Sequence, residues 1–111
     1  MSKEPSIIVL TAGDEKNFPK DGNTVELSYK GMLSNGNVFE SSDTFGSSTF
    51  RFKLGKDKVI PCWDFAIRKM SIGSKIKVKC PSETAYGVAG IPGKIPRSED
   101  LTFYIKLLNY S

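Results

Sequence analysis

The chain has 111 residues, 39% of them hydrophobic and 25% charged, with a net charge of +4, two cysteines and no histidine. That length and balance suit one globular domain, 1–111, large enough to bury a core without metals or cross-links. Without histidine, Ser-His-Asp and Cys-His nucleophile pairs are excluded, a zinc site is left with cysteines and carboxylates alone, and no apolar run reaches the ~18 residues of a membrane span.

Ile7, Ile8, Val9 and Leu10 form a β-branched apolar run that predicts a strand between Pro5 and Thr11. Phe18-Pro19-Lys20-Asp21-Gly22-Asn23 is turn chemistry. Val25, Leu27 and Tyr29 then alternate with Glu26, Ser28 and Lys30, which predicts a half-buried strand over Thr24–Leu33. Asn35-Gly36 predicts a tight turn, because both residues tolerate positive φ, and Val38-Phe39-Glu40 continues as a short strand. The polar stretch from Ser41 to Ser48 reads as a loop. Phe50, Phe52 and Leu54 alternate with Arg51 and Lys53 as a further strand ended by Gly55.

Pro61 to Met70 is the one good helix candidate. Pro61 suits the first helical position, Trp63, Ala66, Ile67 and Met70 fall on one stripe, and Arg68 and Lys69 sit in the expected last turn, where cations suit the dipole. A helix of ten or so residues is marginal alone, so the stripe must pack on a sheet. Ile76, Val78 and Cys80 alternate with Lys75, Lys77 and Lys79, a strand with one solvated face that Pro81 stops. The stretch from Pro81 to Asp100 reads as a long loop with a helical turn near Ser82-Glu83-Thr84, and such loops are uncommon in compact domains unless functional. The last strand runs from Leu101 to Asn109 with Phe103, Ile105 and Leu107 on one face. Together these predict an α+β fold: a twisted antiparallel sheet of about five to six strands wrapped over one short helix.

Cys62 and Cys80 are too few for a disulfide framework and have no metal spacing, so they are expected as two free, reduced thiols. The first residues, Met1-Ser2-Lys3-Glu4-Pro5, lack the apolar run of a signal peptide, which points to a cytoplasmic or nuclear protein. The isoelectric point near 9.1 admits a nucleic-acid stripe, but lysines spread through the chain fit a plain charged surface better. Neither a nucleic acid nor a membrane is expected as a partner.

Aromatics on inward faces usually fill a core, yet several here fall where strands end and loops begin, positions that line pockets. Read in order, Phe18-Pro19-Lys20-x-Gly22, Tyr29-x-Gly31-x-Leu33, Gly36-x-x-Phe39-Glu40-Ser41-Ser42, Phe50-x-Phe52-x-Leu54-Gly55, Val59-Ile60-x-x-Trp63, Met70-Ser71-x-Gly73, Tyr86-Gly87, Gly90-x-Pro92-Gly93-x-Ile95-Pro96 and Leu101-x-Phe103 follow one another. In order and spacing they resemble the FKBP family of peptidyl-prolyl cis–trans isomerases, the single-domain, macrolide-binding immunophilins, over about residues 5–110. The resemblance implies an enzyme, monomeric and without cofactor or metal, that turns X-Pro bonds in protein substrates and assists folding. It implies rapamycin and tacrolimus as ligands of the same pocket, with a drug-dependent protein partner conceivable.

Carried over to this sequence, the resemblance makes Trp63 the pocket floor and Tyr29, Phe50, Val59, Ile60 and Phe103 its walls. Phe39 lies beside the acyl side of the bound amide. Tyr86 offers its hydroxyl to one ligand carbonyl, the Ile60 N–H binds the next, and Ile95 closes the loop over the site. Glu40 stands where the family commonly has Asp, so its longer side chain is expected to miss partners such as Tyr29, and the following loop, Asp43-Thr44-Phe45-Gly46-Ser47-Ser48, has no arginine to pair with it. Pro61-Cys62 precedes Trp63 where a smaller or more polar pair is usual. Cys62 is expected at the rim, open to thiol reagents and shielded by a bound macrolide. Each residue has a plainer reading: Trp63 as core, Tyr86 as a loop anchor bonded to backbone, Glu40 as a solvated surface carboxylate. A binding module for X-Pro segments or macrolides, with catalysis incidental, is the alternative to an enzyme.

Overall fold

The structure, a computed structural model, describes residues 4–42 and 49–111. Its strands are β1 (Ser6–Thr11), β2 (Thr24–Met32), β3 (Val38–Ser41), β4 (Phe50–Lys53), β5 (Lys75–Cys80) and β6 (Leu101–Tyr110), with one helix, α1 (Pro61–Ile67), and a 3₁₀ turn at Ser82–Thr84. They form one antiparallel sheet in the order β1-β5-β6-β2-β3, with β4 also paired to β2. Both β3 and β4 use the same edge of β2: Lys30 to Met32 face β3, and Thr24 to Leu27 face β4. The expected polar loop from Ser41 to Ser48 lies mostly outside the described residues, and Ser41 itself closes β3.

The alternation read from the sequence sets the core. Val25 and Leu27 of β2, Ile76 and Val78 of β5, and Phe103, Ile105 and Leu107 of β6 turn one face inward, where Trp63, Ala66 and Ile67 of α1, with Met70 beyond it, cover them. Burying such a face is what holds a seven-residue helix in place. The Asn35-Gly36 turn forms as expected, with Gly36 at φ +92 and its N–H bonded to the Leu33 carbonyl at 2.9 Å.

Three expectations are corrected. The helix ends at Ile67, because Lys69 N–H and Met70 N–H bond three residues back, to Ala66 and Ile67, and tighten the chain out of α geometry. Arg68 and Lys69 therefore lie past the last turn, and Arg68 turns to Asp21 instead, Nε to Oδ1 2.7 Å. The apolar run of β1 forms the expected strand, at the sheet edge and paired to β5 alone, with Ile8, Val9 and Leu10 exposed.

The third correction concerns sulfur. Cys62 and Cys80 are joined in a disulfide, with Cα atoms 5.7 Å apart, and no free cysteine remains. Cys62 lies on the inward face of α1 and Cys80 on the inward face at the end of β5, so packing the helix on the sheet brings the two together. Both residues are fully buried. Cys62 is thus neither at the rim nor open to a thiol reagent.

Candidate active site

Trp63 sits in the middle of α1 with its indole against the open end of β2, β4 and β6. Among the described residues, four rings surround it. Its centroid distances are 4.8 Å to Tyr29, 5.2 Å to Phe103, 6.0 Å to Phe52 and 6.1 Å to Phe50. The contacts to Tyr29, Phe103 and Phe50 are edge-on, with interplanar angles of 75°, 87° and 75°, the arrangement that aromatic quadrupoles favour. Phe39 extends the wall, 5.8 Å from Phe103 and edge-on to it.

These side chains enclose a cavity of about 190 Å³ lined by Tyr29, Phe39, Glu40, Phe50, Lys58, Val59, Ile60, Trp63, Tyr86 and Phe103. Nine of the ten residues expected at the site line it. Trp63 is 5% exposed, so it belongs to the core and to the cavity floor at once. The cavity falls below the ~300 Å³ of a drug-sized pocket, which suits a single small ring with the rest of a ligand outside.

Ile95 is placed differently. It is buried in the core and does not line the cavity. It forms a two-way backbone bridge with Ile91, both N–H···O distances 2.8 Å, which closes the 91–95 turn. The long loop is tied further by Ser98 N–H to the Gly87 carbonyl and Ser82 N–H to Asp100. Glu99 accepts bonds from the N–H and hydroxyl of Ser34, which pins the loop to the β2–β3 turn.

Polar groups are few and placed at the rim. The Ile60 N–H, just ahead of α1, and the Tyr86 hydroxyl have no hydrogen-bond acceptor among the described residues, so both are available to a ligand. Tyr86 is thus not a loop anchor bonded through its hydroxyl. Burial and then the Glu40 charge push its hydroxyl pKa up, and it remains a donor through neutral and mildly alkaline pH. The Trp63 Nε1–H is also buried without a partner among the described residues.

Glu40 corrects another expectation. Its longer side chain reaches Tyr29, whose hydroxyl donates to Oε1 at 2.7 Å. Its other oxygen receives Lys94 Nζ at 3.0 Å. The cation absent from the neighbouring loop sequence is supplied across the pocket, from the 81–100 loop. The backbone explains the reach: Ser42 N–H bonds the Tyr29 carbonyl at 3.0 Å and Tyr29 N–H bonds Ser42 Oγ at 3.2 Å, so β3 carries Glu40 back beside Tyr29. Burial raises the Glu40 carboxyl, but the Tyr29 and Lys94 bonds outweigh it and hold the group below its ordinary value. Burial and the Glu40 bond raise Tyr29 well above the usual phenol range.

A glutamate lowered in the folded state contributes stability above its unfolded value, 4.5, and loses it as pH falls through the folded value. Glu40→Gln is therefore expected to be less stable than the wild type near neutral pH by up to about 1 kcal/mol, because the Lys94 arm is partly solvated. Denaturant titrations at several pH values should show that gap closing as the medium is acidified below the glutamate range.

Sequence reasoning missed Lys58 and Lys94 at the rim and Phe52 beneath the floor. The period-two pattern of β4 did mark Phe52 as inward. No local pattern marked either lysine, since each is one cation among many in a basic chain.

The comparisons with known proteins agree with this geometry. The family model described as FKBP-type peptidyl-prolyl cis-trans isomerase matches residues 15–108. FK506-binding protein 1 of Kluyveromyces lactis is 44% identical over 102 residues, 92% of this chain and 89% of the relative. Peptidyl-prolyl cis-trans isomerase FKBP1A of Xenopus laevis is 40% identical, covering 89% of this chain and 91% of the relative. Peptidyl-prolyl cis-trans isomerase Fkbp12 of Drosophila melanogaster is 37% identical, covering 92% and 94%. With an aromatic cup over one indole and relatives matched over nearly their whole length, the chain belongs to the FKBP-type peptidyl-prolyl cis–trans isomerase family.

Proposed function

We propose that this enzyme turns X-Pro bonds in the cavity over Trp63, and that FK506- and rapamycin-type macrolides occupy the same cavity. The observation that carries the reading is the apolar floor and wall with two unengaged donors, Ile60 N–H and Tyr86 hydroxyl, at its rim. Rotating a peptide bond meets a barrier of about 18–20 kcal/mol, because amide resonance must be broken. The isomers at X-Pro lie within about 1 kcal/mol of each other yet exchange over tens of seconds or longer. No bond is made or cleaved, so a catalyst needs only to favour the twisted amide over the planar one.

In the twisted state the carbonyl has lost conjugation with nitrogen and is less strongly hydrated. A water-poor wall of Phe39, Phe103 and Trp63 then holds it better, relative to water, than it holds the planar form. The proline ring rests on Trp63 between Tyr29, Phe50, Val59 and Ile60. Tyr86 and the Ile60 N–H grip successive carbonyls and limit the chain to productive geometries. Glu40, bound by Tyr29 and Lys94, keeps the Tyr29 ring in place as a wall. The route needs no general base, in keeping with a chain that has no histidine.

Relatives bear the name FK506-binding protein, and the small cavity suits the ring of such a ligand, leaving the rest outside for a drug-dependent protein partner. We propose a monomer, and a cytoplasmic or nuclear setting. The Cys62–Cys80 bond weighs against that setting, since glutathione keeps cytosolic thiols reduced. Its full burial works the other way, because exchange requires a thiolate to reach the sulfur.

Proline-limited refolding of a test protein, followed beside Trp63 fluorescence, checks the reading. Stoichiometric rapamycin is expected to abolish the acceleration and to perturb the single tryptophan in parallel. Full acceleration at saturating rapamycin, with the fluorescence unchanged, would refute the shared pocket.

A further inference from the structure

Among the described residues lining the cavity, two carry charge: Glu40 and Lys58. Glu40 has both oxygens engaged, by Tyr29 and by Lys94, and its charge is matched by the Lys94 ammonium. Lys58 is exposed and makes no ion pair or hydrogen bond among the described residues. Among the described residues the rim therefore presents one cation without an ion pair, Lys58, with Lys56 and the exposed Asp57 on the same turn. Lys58 stands two residues ahead of Ile60, on the wall whose N–H takes the carbonyl following the twisting amide. The substrate chain leaving the proline passes that wall, whereas Phe39 flanks the acyl side.

We propose that Lys58 is a specificity-determining residue, drawing X-Pro segments that carry a carboxylate side chain directly after the proline. This rests on the pose given above for the isomerase site. A glutamate or aspartate following proline meets an unpaired ammonium there, and a lysine meets like charge. The attraction is exposed and screened by salt. It acts on substrate and twisted state alike, so it belongs in KM more than in kcat.

Isomerisation of three peptides differing only after proline, Ala-Leu-Pro-Glu-Ala, Ala-Leu-Pro-Gln-Ala and Ala-Leu-Pro-Lys-Ala, can be followed by NMR exchange at low ionic strength. The Glu peptide is expected to exceed the Gln peptide in kcat/KM by about threefold, with the Lys peptide lower by a similar factor. Half-molar salt should flatten the series. Lys58→Glu should reverse the order, while Lys106→Glu, on the outward face of β6, should preserve it. A flat low-salt series, with the Gln peptide turned over in a rapamycin-sensitive way, would overturn the proposal and leave the pocket reading standing. Retention of the Glu preference in Lys58→Glu would move the selectivity to another cation and also overturn it. If the Gln peptide is not turned over at all, the pocket reading fails and this proposal with it.

Discussion

Phe39→Ala is expected to lower kcat/KM for X-Pro isomerisation by about 10- to 100-fold while the protein stays folded. Burying a side chain of this size contributes about 1.5–3 kcal/mol, and this wall acts on the twisted amide. Phe39 is half-buried and lies at the end of the aromatic row, 5.8 Å from Phe103, so its removal opens the cavity to water without hollowing the core. Phe103 is a poorer probe, since it is buried in the core and its truncation to alanine would cost about 3–5 kcal/mol of stability. Phe103→Leu keeps the fold and should still reduce kcat.

The same wall can be disturbed from behind. Gly31 of β2 lies directly under both rings, and a Cβ there would come within 2.7 Å of Phe103 Cε1 and 2.8 Å of Phe39 Cζ. Gly31→Ala must push one or both rings into the cavity. Loss of kcat with little change in KM, in both variants, is the signature of an interaction made mainly in the transition state. If folded Phe39→Ala retains wild-type kcat, water exclusion by this wall is not what lowers the barrier.

What the sequence shows and what it hides divide along the range of the interactions. The inward faces of β2, β5 and β6 and the stripe of α1 follow from periods of two and 3.6 that any short window displays. The cup was legible because its members sit on such patterned elements, Tyr29, Phe39, Phe50 and Phe103 on strands and Trp63 on the stripe of α1, and all five line it. The polar side was not legible. Whether a glutamate one methylene longer than aspartate finds Tyr29 depends on the backbone bonds that draw β3 against β2, and its cation comes from 54 residues downstream. Ile95 reads as a lid in one dimension, but the Ile91–Ile95 bridge turns it down into the core. The cysteine pair could not be found by spacing, because its closure depends on α1 laying Cys62 over the end of β5.

That cross-link supports the second large expectation. The Cys62–Cys80 bond closes a loop of 18 residues, and restricting a loop of this length in the unfolded chain stabilises the fold by about 3 kcal/mol. For a chain of this size the loss should lower the melting temperature by roughly 10 °C or more. The loop contains most of α1 and all but the last residue of β5, so the bond staples the helix under the cavity to the strand that leads into the Tyr86 loop. Neither sulfur lines the cavity. Reduction should therefore weaken the protein far more than it slows the enzyme at 25 °C, where the packed stripe of Trp63, Ala66, Ile67 and Met70 still holds the floor. Full reduction of two buried residues needs either opening of the fold or a denaturant, so native protein should resist millimolar dithiothreitol for a time set by its unfolding rate. Cys62→Ala/Cys80→Ala, which leaves no buried hydroxyl behind, separates the staple from the reductant. The double variant and the wild type refolded under reducing conditions should melt within a few degrees of each other and well below the oxidised protein. Equal melting of oxidised and reduced wild type would mean that the two sulfurs are not joined in solution.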